Sequence, residues 1–61
     1  MNEWRMIGSA PRNVKVMTKI DDGGGVRNEQ PMVRRGNLWW INDGEPGSMY
    51  VYYTPTHWRP L

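Results

Sequence analysis

The chain contains no cysteine and no phenylalanine, and only one histidine, His57. Without Cys there is neither a disulfide nor the common thiolate zinc site. One His leaves too few soft ligands for a catalytic zinc. Long apolar runs are also missing. Leu38-Trp39-Trp40-Ile41 and the five residues Met49 to Tyr53 are far short of the ~20 residues that span a bilayer. No basic-then-apolar signal segment opens the chain, so the expectation is a cytoplasmic protein without a membrane partner. Charge of one sign is scarce too. The formal net charge of +2 is too small for a protein that coats duplex DNA.

What the chain does hold is concentrated. Its 61 residues, expected to form one small domain over 1–61, include four Trp, three Tyr and five Met. Trp and Tyr combine large contact area with a polar handle and serve cores, interfaces and stacking sites alike. Six of the eight cations are Arg, which binds carboxylates and phosphates bidentately and stacks on aromatic faces. A chain this short buries only about 60% of its unfolded surface. Without disulfides or metal it is expected to gain stability by homo-oligomerisation.

The period is that of strands. Met1 to Ile7 reads as an extended lead-in anchored by Trp4 and Ile7, and 8–13 as a turn shaped by Gly8, Pro11 and Asn13. From Val14 to Ile20 the residues alternate: Val14, Val16, Thr18 and Ile20 on one face, Lys15, Met17 and Lys19 on the other. Asp21-Asp22-Gly23-Gly24-Gly25 makes a hairpin turn. A P-loop would need G-x-x-x-x-G-K-[ST] and a helix, and a calcium loop more oxygen ligands, so that run is read as structural. The next strand lies within Val26 to Arg35, where Pro31 makes it either an edge strand or two short pieces around a bulge; the preferred reading is a loop through Gln30 and a strand at about Met32 to Arg35. Gly36-Asn37 turns the chain into a strand at Leu38 to Ile41. A loop over 42–47 follows, then a strand over Ser48 to Thr54. Apolar residues never recur at helical spacing over ten residues. The expected fold is all-β: a single antiparallel meander of about four strands with no long helix.

The tail, Pro55-Thr56-His57-Trp58-Arg59-Pro60-Leu61, carries two prolines, which argue against its lying inside a sheet. It also carries a heavy load of side chains for a loose end. The expectation is a strap, with Trp58 and Leu61 laid on a sheet face near Trp4 and Pro55, His57 and Pro60 shaping it.

The opening Trp4-x-x-Ile7-x-x-Ala10-Pro11 and the closing Thr56-His57-Trp58-Arg59-Pro60-Leu61 resemble a family of short phage and prophage proteins. These begin W-x-x-I-x-x-A-P and end T-H-W-x-P-L. The same ending is found in C-terminal domains of some lambdoid phage early-region proteins. Asn13-Val14 stands where the family usually has a Gly. The resemblance implies a phage-encoded accessory protein with a small β-rich fold, acting in the infected bacterial cell. It supplies no catalytic residues and no cofactor.

Nor do the residues themselves suggest catalysis. There is no Ser-His-Asp logic, no metal set and no acid pair at a useful spacing. His57 lacks a partner of catalytic spacing and is read as a structural hydrogen-bonding residue. If Leu38 to Ile41 is a strand, Trp39 and Trp40 point to opposite faces, one to the core and one outward. Tyr50 and Tyr52 share a face near the outward indole. Arg34 and Arg35 diverge likewise, and Arg59 points at an anion or stacks on an indole, with Arg5 joining it if the termini meet. Together these define a candidate ligand-binding set: Trp39, Trp40, Tyr50, Tyr52, Arg34, Arg35 and Arg59. Aromatic residues edged by Arg hold nucleobases and phosphates, but the same composition describes a protein–protein hot spot. Three readings stay open. The first is a sponge for a nucleotide-type defence signal, with pockets between subunits. The second is an inhibitor that covers a host or defence protein. The third is a single-stranded nucleic-acid binder, against which the low net charge counts.

Overall fold

The computed structural model describes residues 3–42 and 44–61. Met1 and Asn2 of the lead-in and Asp43 of the 42–47 loop lie outside the described residues. Six strands form one antiparallel sheet: β1 (Arg5–Met6), β2 (Lys15–Asp22), β3 (Gly25–Arg35), β4 (Leu38–Ile41), β5 (Met49–Tyr50) and β6 (His57–Pro60). Their order in space is β1-β6-β2-β3-β4-β5, and the sheet is open rather than closed into a barrel. A 3-10 turn at Ile7–Ser9 follows β1, and there is no α-helix among the described residues.

The all-β expectation holds, and β2 to β5 are the meander. Its count and edges differ from the reading of the sequence. Two short terminal strands are added, and the tail is a strand rather than a strap. β6 lies between β1 and β2, pairing Arg5 with Trp58 on one side and Thr18 with Trp58 on the other. Two prolines sit inside this sheet for one shared reason. Pro60 pairs with Val16 of β2, at a point on β6 that β1 does not reach. Pro31 pairs with Met17 of β2, at a point on β3 that β4 does not reach. Each proline therefore occupies a local edge, where a missing N–H costs no ladder bond. So β3 runs unbroken through Pro31, and no loop extends to Gln30. A bulge between Thr18 and Ile20 adjusts its register, with Asn28 opposite at φ 57°. Asn is among the few residues that accept this left-handed conformation.

The hairpin forms as the Asp-Asp-Gly-Gly-Gly run suggests. Asp22 accepts from the Gly24 N–H at 2.8 Å and from Arg27 at 2.8 Å. Beyond β5 the expected strand to Thr54 stops. Residues 51–56 leave the sheet, although the Val51 N–H still donates to the Trp39 carbonyl at 2.9 Å.

The core lies on one face of the sheet. Val16, Thr18 and Ile20 from β2, Met32 from β3, Trp39 from β4 and Trp58 from β6 are buried there. Two irregular segments cover them. Ile7 and Ala10 come from the N-terminal side, and Val51 and Tyr53 from the 51–56 segment. Polar groups within this layer are matched. Trp58 Nε1–H donates to Ser9 Oγ at 3.0 Å, Gln30 Nε2–H to Tyr53 Oη at 3.0 Å, and Thr18 Oγ1–H to the Gln30 carbonyl at 2.9 Å. The molecule measures 32 × 25 × 18 Å, a sheet with one covering layer and one face open to solvent.

Candidate binding face

Strand alternation decides what the open face carries. Directly paired residues share a face, so Lys15, Val33, Trp40 and Tyr50 form one cross-sheet row. Met17, Lys19, Arg35, Leu38, His57 and Arg59 share that face by register. Trp40 and Tyr50 meet edge to face at 5.5 Å between ring centroids. Tyr52 extends the stack, 5.6 Å from Tyr50, and is 94% exposed. A cleft of about 190 Å³ beside Trp40 is lined by Lys15, Pro31, Ile41 and Asn42 among others. A second, of about 270 Å³, lies at the β4–β5 edge between Leu38, Tyr50 and Tyr52 and the core-side Trp39 and Tyr53. Both are smaller than the ~300–1,000 Å³ of pockets that engulf a small ligand. Ligands on this face therefore lie on a surface rather than in a cavity.

At the opposite corner of the same face stands Trp4. Lys19 Nζ lies 4.3 Å from its ring centroid and the Arg59 guanidinium 5.0 Å from it. The indole's negative face holds two cations together that would otherwise repel. Lys19 also reaches the Asp21 carboxylate at 3.4 Å. Arg59 Nε is buried without a hydrogen-bond partner.

The candidate set divides accordingly. Trp40, Tyr50 and Tyr52 come together, while Arg35 and Arg59 share their face at separate places. Trp39 is 4% exposed and packs in the core, bordering the second cleft from the core side. Arg34, half-buried, pairs in register with Trp39 on the core side. Arg5 does not converge with Arg59 although the termini meet, because β1 and β6 present the two guanidinia to opposite faces. Arg5 stacks on Trp58 at 5.1 Å. For the same reason Trp58 and Trp4 lie on opposite faces. Leu61 is 63% exposed and covers nothing. Pro55 is buried. Thr56, not His57, does most of the tying: its hydroxyl accepts from the Asp21 N–H at 2.8 Å and lies 2.7 Å from His57 Nδ1.

Lys15 and Lys19 were absent from the candidate set. Their signal was the β2 alternation itself, which puts both on the face opposite the core residues. Among the described residues no group of three or more His, Asp or Glu is placed to hold a metal ion. No helix among them is long and apolar enough to cross a membrane. No protein-family model, curated protein or solved structure matches the chain.

Proposed function

We propose that the chain is a non-enzymatic binding protein whose open face takes a nucleotide-type ligand, the base on the Trp40–Tyr50–Tyr52 stack and the anionic group on neighbouring cations. The observation that carries this reading is the edge-to-face stack of half-buried Trp40 with exposed Tyr50 and Tyr52, with Lys15 in the adjoining cleft. Aromatic platforms hold bases at ~1–3 kcal/mol each. The clefts of a single subunit are shallow, so full enclosure of a mononucleotide calls for a second copy, and the proposal includes a homo-oligomer. The resemblance of the opening and closing motifs to phage proteins supports a role in the infected cell, as an antagonist that sequesters a defence signal.

Thermal unfolding with a panel of cyclic and ADP-ribose-type nucleotides tests this. A ligand at 100 times its Kd contributes about 2.7 kcal/mol, a rise of roughly 10 °C or more for a domain this small. No shift with any member of the panel overturns the reading. One observation favours the alternative, a protein that covers a host or defence protein. Leu38, Met49, Tyr50 and Tyr52 all remain exposed along the β4–β5 edge, as in an unoccupied hot spot. That reading requires a stoichiometric complex in affinity capture and no stabilisation by nucleotides.

A further inference from the structure

We propose that the open face takes single-stranded nucleic acid, laid across the strands from the Trp40–Tyr50–Tyr52 stack toward Trp4. The inference rests on the reading that the stack receives a base, and adds the polymer and its path. The low net charge counted against such a ligand, but net charge is an average over the molecule. The registers place Lys15, Lys19 and Arg59 on this one face, with Arg35 at its margin. Among strand residues the acids on this face are Asp21, which Lys19 already engages, and Glu29, at the bulge opposite Lys19 and next to the core-side Gln30. Arg5, by contrast, is held on the core side against Trp58, and Arg27 is paired with Asp22 at the hairpin. The face therefore carries the cationic excess of a molecule whose other charges balance.

Aromatic platforms stand at two separated places on it. Trp4 sits over Lys19 and Arg59, and Trp40 lies in the row of Lys15. Lys15 and Lys19 are four residues apart on β2, and two strand spacings separate β2 from β4. At about 3.3 Å per residue and 4.8 Å per strand, the two platforms are at least roughly 16 Å apart. A mononucleotide does not reach both. A single strand alternates stacking bases with phosphates, and this face alternates aromatic rings with cations. Unpaired bases splayed on sheet aromatics are a general mode of single-strand recognition. A duplex keeps its bases stacked inside, out of reach of the indoles.

Fluorescence anisotropy with a labelled 12-nucleotide single strand, its duplex and the matching mononucleotide decides the matter. The single strand is expected to bind more tightly than the other two, with a log–log salt slope of about −2 from three cations at ~0.7 each. Trp40→Ala is expected to weaken binding about tenfold, as loss of one stacked base does. Should Trp40→Ala not fold, Tyr52→Ala provides the same test at a fully exposed ring. Lys15→Glu should weaken binding and flatten the slope, while Arg12→Glu, on the loop before β2, leaves both unchanged. A salt slope near zero, or equal binding of duplex, overturns the proposal. Stabilisation by mononucleotides with no tighter binding of the 12-mer overturns the polymer but keeps the nucleotide site. Absence of binding to any of them sinks both, as does a stoichiometric protein complex without oligonucleotide binding.

Discussion

Trp58 has β1 on one side and β2 on the other, with a serine hydroxyl on its indole nitrogen. Replacing it by Ala removes the largest side chain shared by both ends of the chain. The expected cost is ~3–5 kcal/mol, enough to unfold so small a domain, as a urea titration followed by circular dichroism would show. A folded Trp58→Ala protein would mean that the core rests elsewhere. Thr56→Val should cost more than His57→Ala, since one hydroxyl serves Asp21 and His57 at once; paired melting curves compare them. Asp22 gives a pH prediction. Its side-chain bond from Arg27, aided by the Gly24 N–H, holds its carboxyl below the ordinary aspartate value. A depressed folded-state pKa stabilises the fold above the unfolded value, and that contribution is lost as pH falls through the folded one. The pair is solvent-exposed, so the effect is small and screened by salt. An NMR titration should find the Asp22 carboxyl below the usual range and moved back up in Arg27→Gln.

At the scale of elements, the bulge in β3 is the feature most dependent on a particular residue. Asn28 holds φ 57°, a conformation that costs an ordinary L-residue ~1–2 kcal/mol. Asn28→Val is expected to destabilise by about that amount or more, because of its branched side chain, and Asn28→Gly to be tolerated. Chemical denaturation of the two variants checks the ordering, and equal stabilities would mean that the bulge relaxes. The meander and its hairpin are legible in the sequence because alternation at Val14 to Ile20 and the glycine run are local signals. The path of β3 through Pro31 and of β6 through Pro60 is not. A proline's tolerance in a sheet depends on which neighbour flanks that residue, and the neighbours here come from distant parts of the chain.

For the whole molecule, the tail completes the sheet. Among the described residues β1 has no strand neighbour except β6, and without β6 one side of β2 is left unpaired. Ending the chain after Pro55 is therefore expected to abolish cooperative thermal unfolding. A truncated protein that still melts cooperatively would show that the meander alone is a folding unit. The candidate face is also a property of the whole. Tyr50, Tyr52 and one of the two indoles at 39–40 were identifiable as a group because alternation puts them on one side of neighbouring segments of a meander. The Trp4–Lys19–Arg59 cluster was not, because it joins the first, second and last strands, whose adjacency follows from β6 entering between β1 and β2.

By itself, the sequence determined the all-β class, the hairpin at 21–25, the alternation of β2 and the opposite senses of Trp39 and Trp40. These follow from a period of two and from turn chemistry, which act over a few residues. Only the tertiary structure decided which indole is buried, that the tail is a strand, and that Lys15, Lys19 and Arg59 share one face while Arg5 is turned to the other. Those outcomes depend on register between strands far apart in the chain. A shift of one residue there would exchange the two faces.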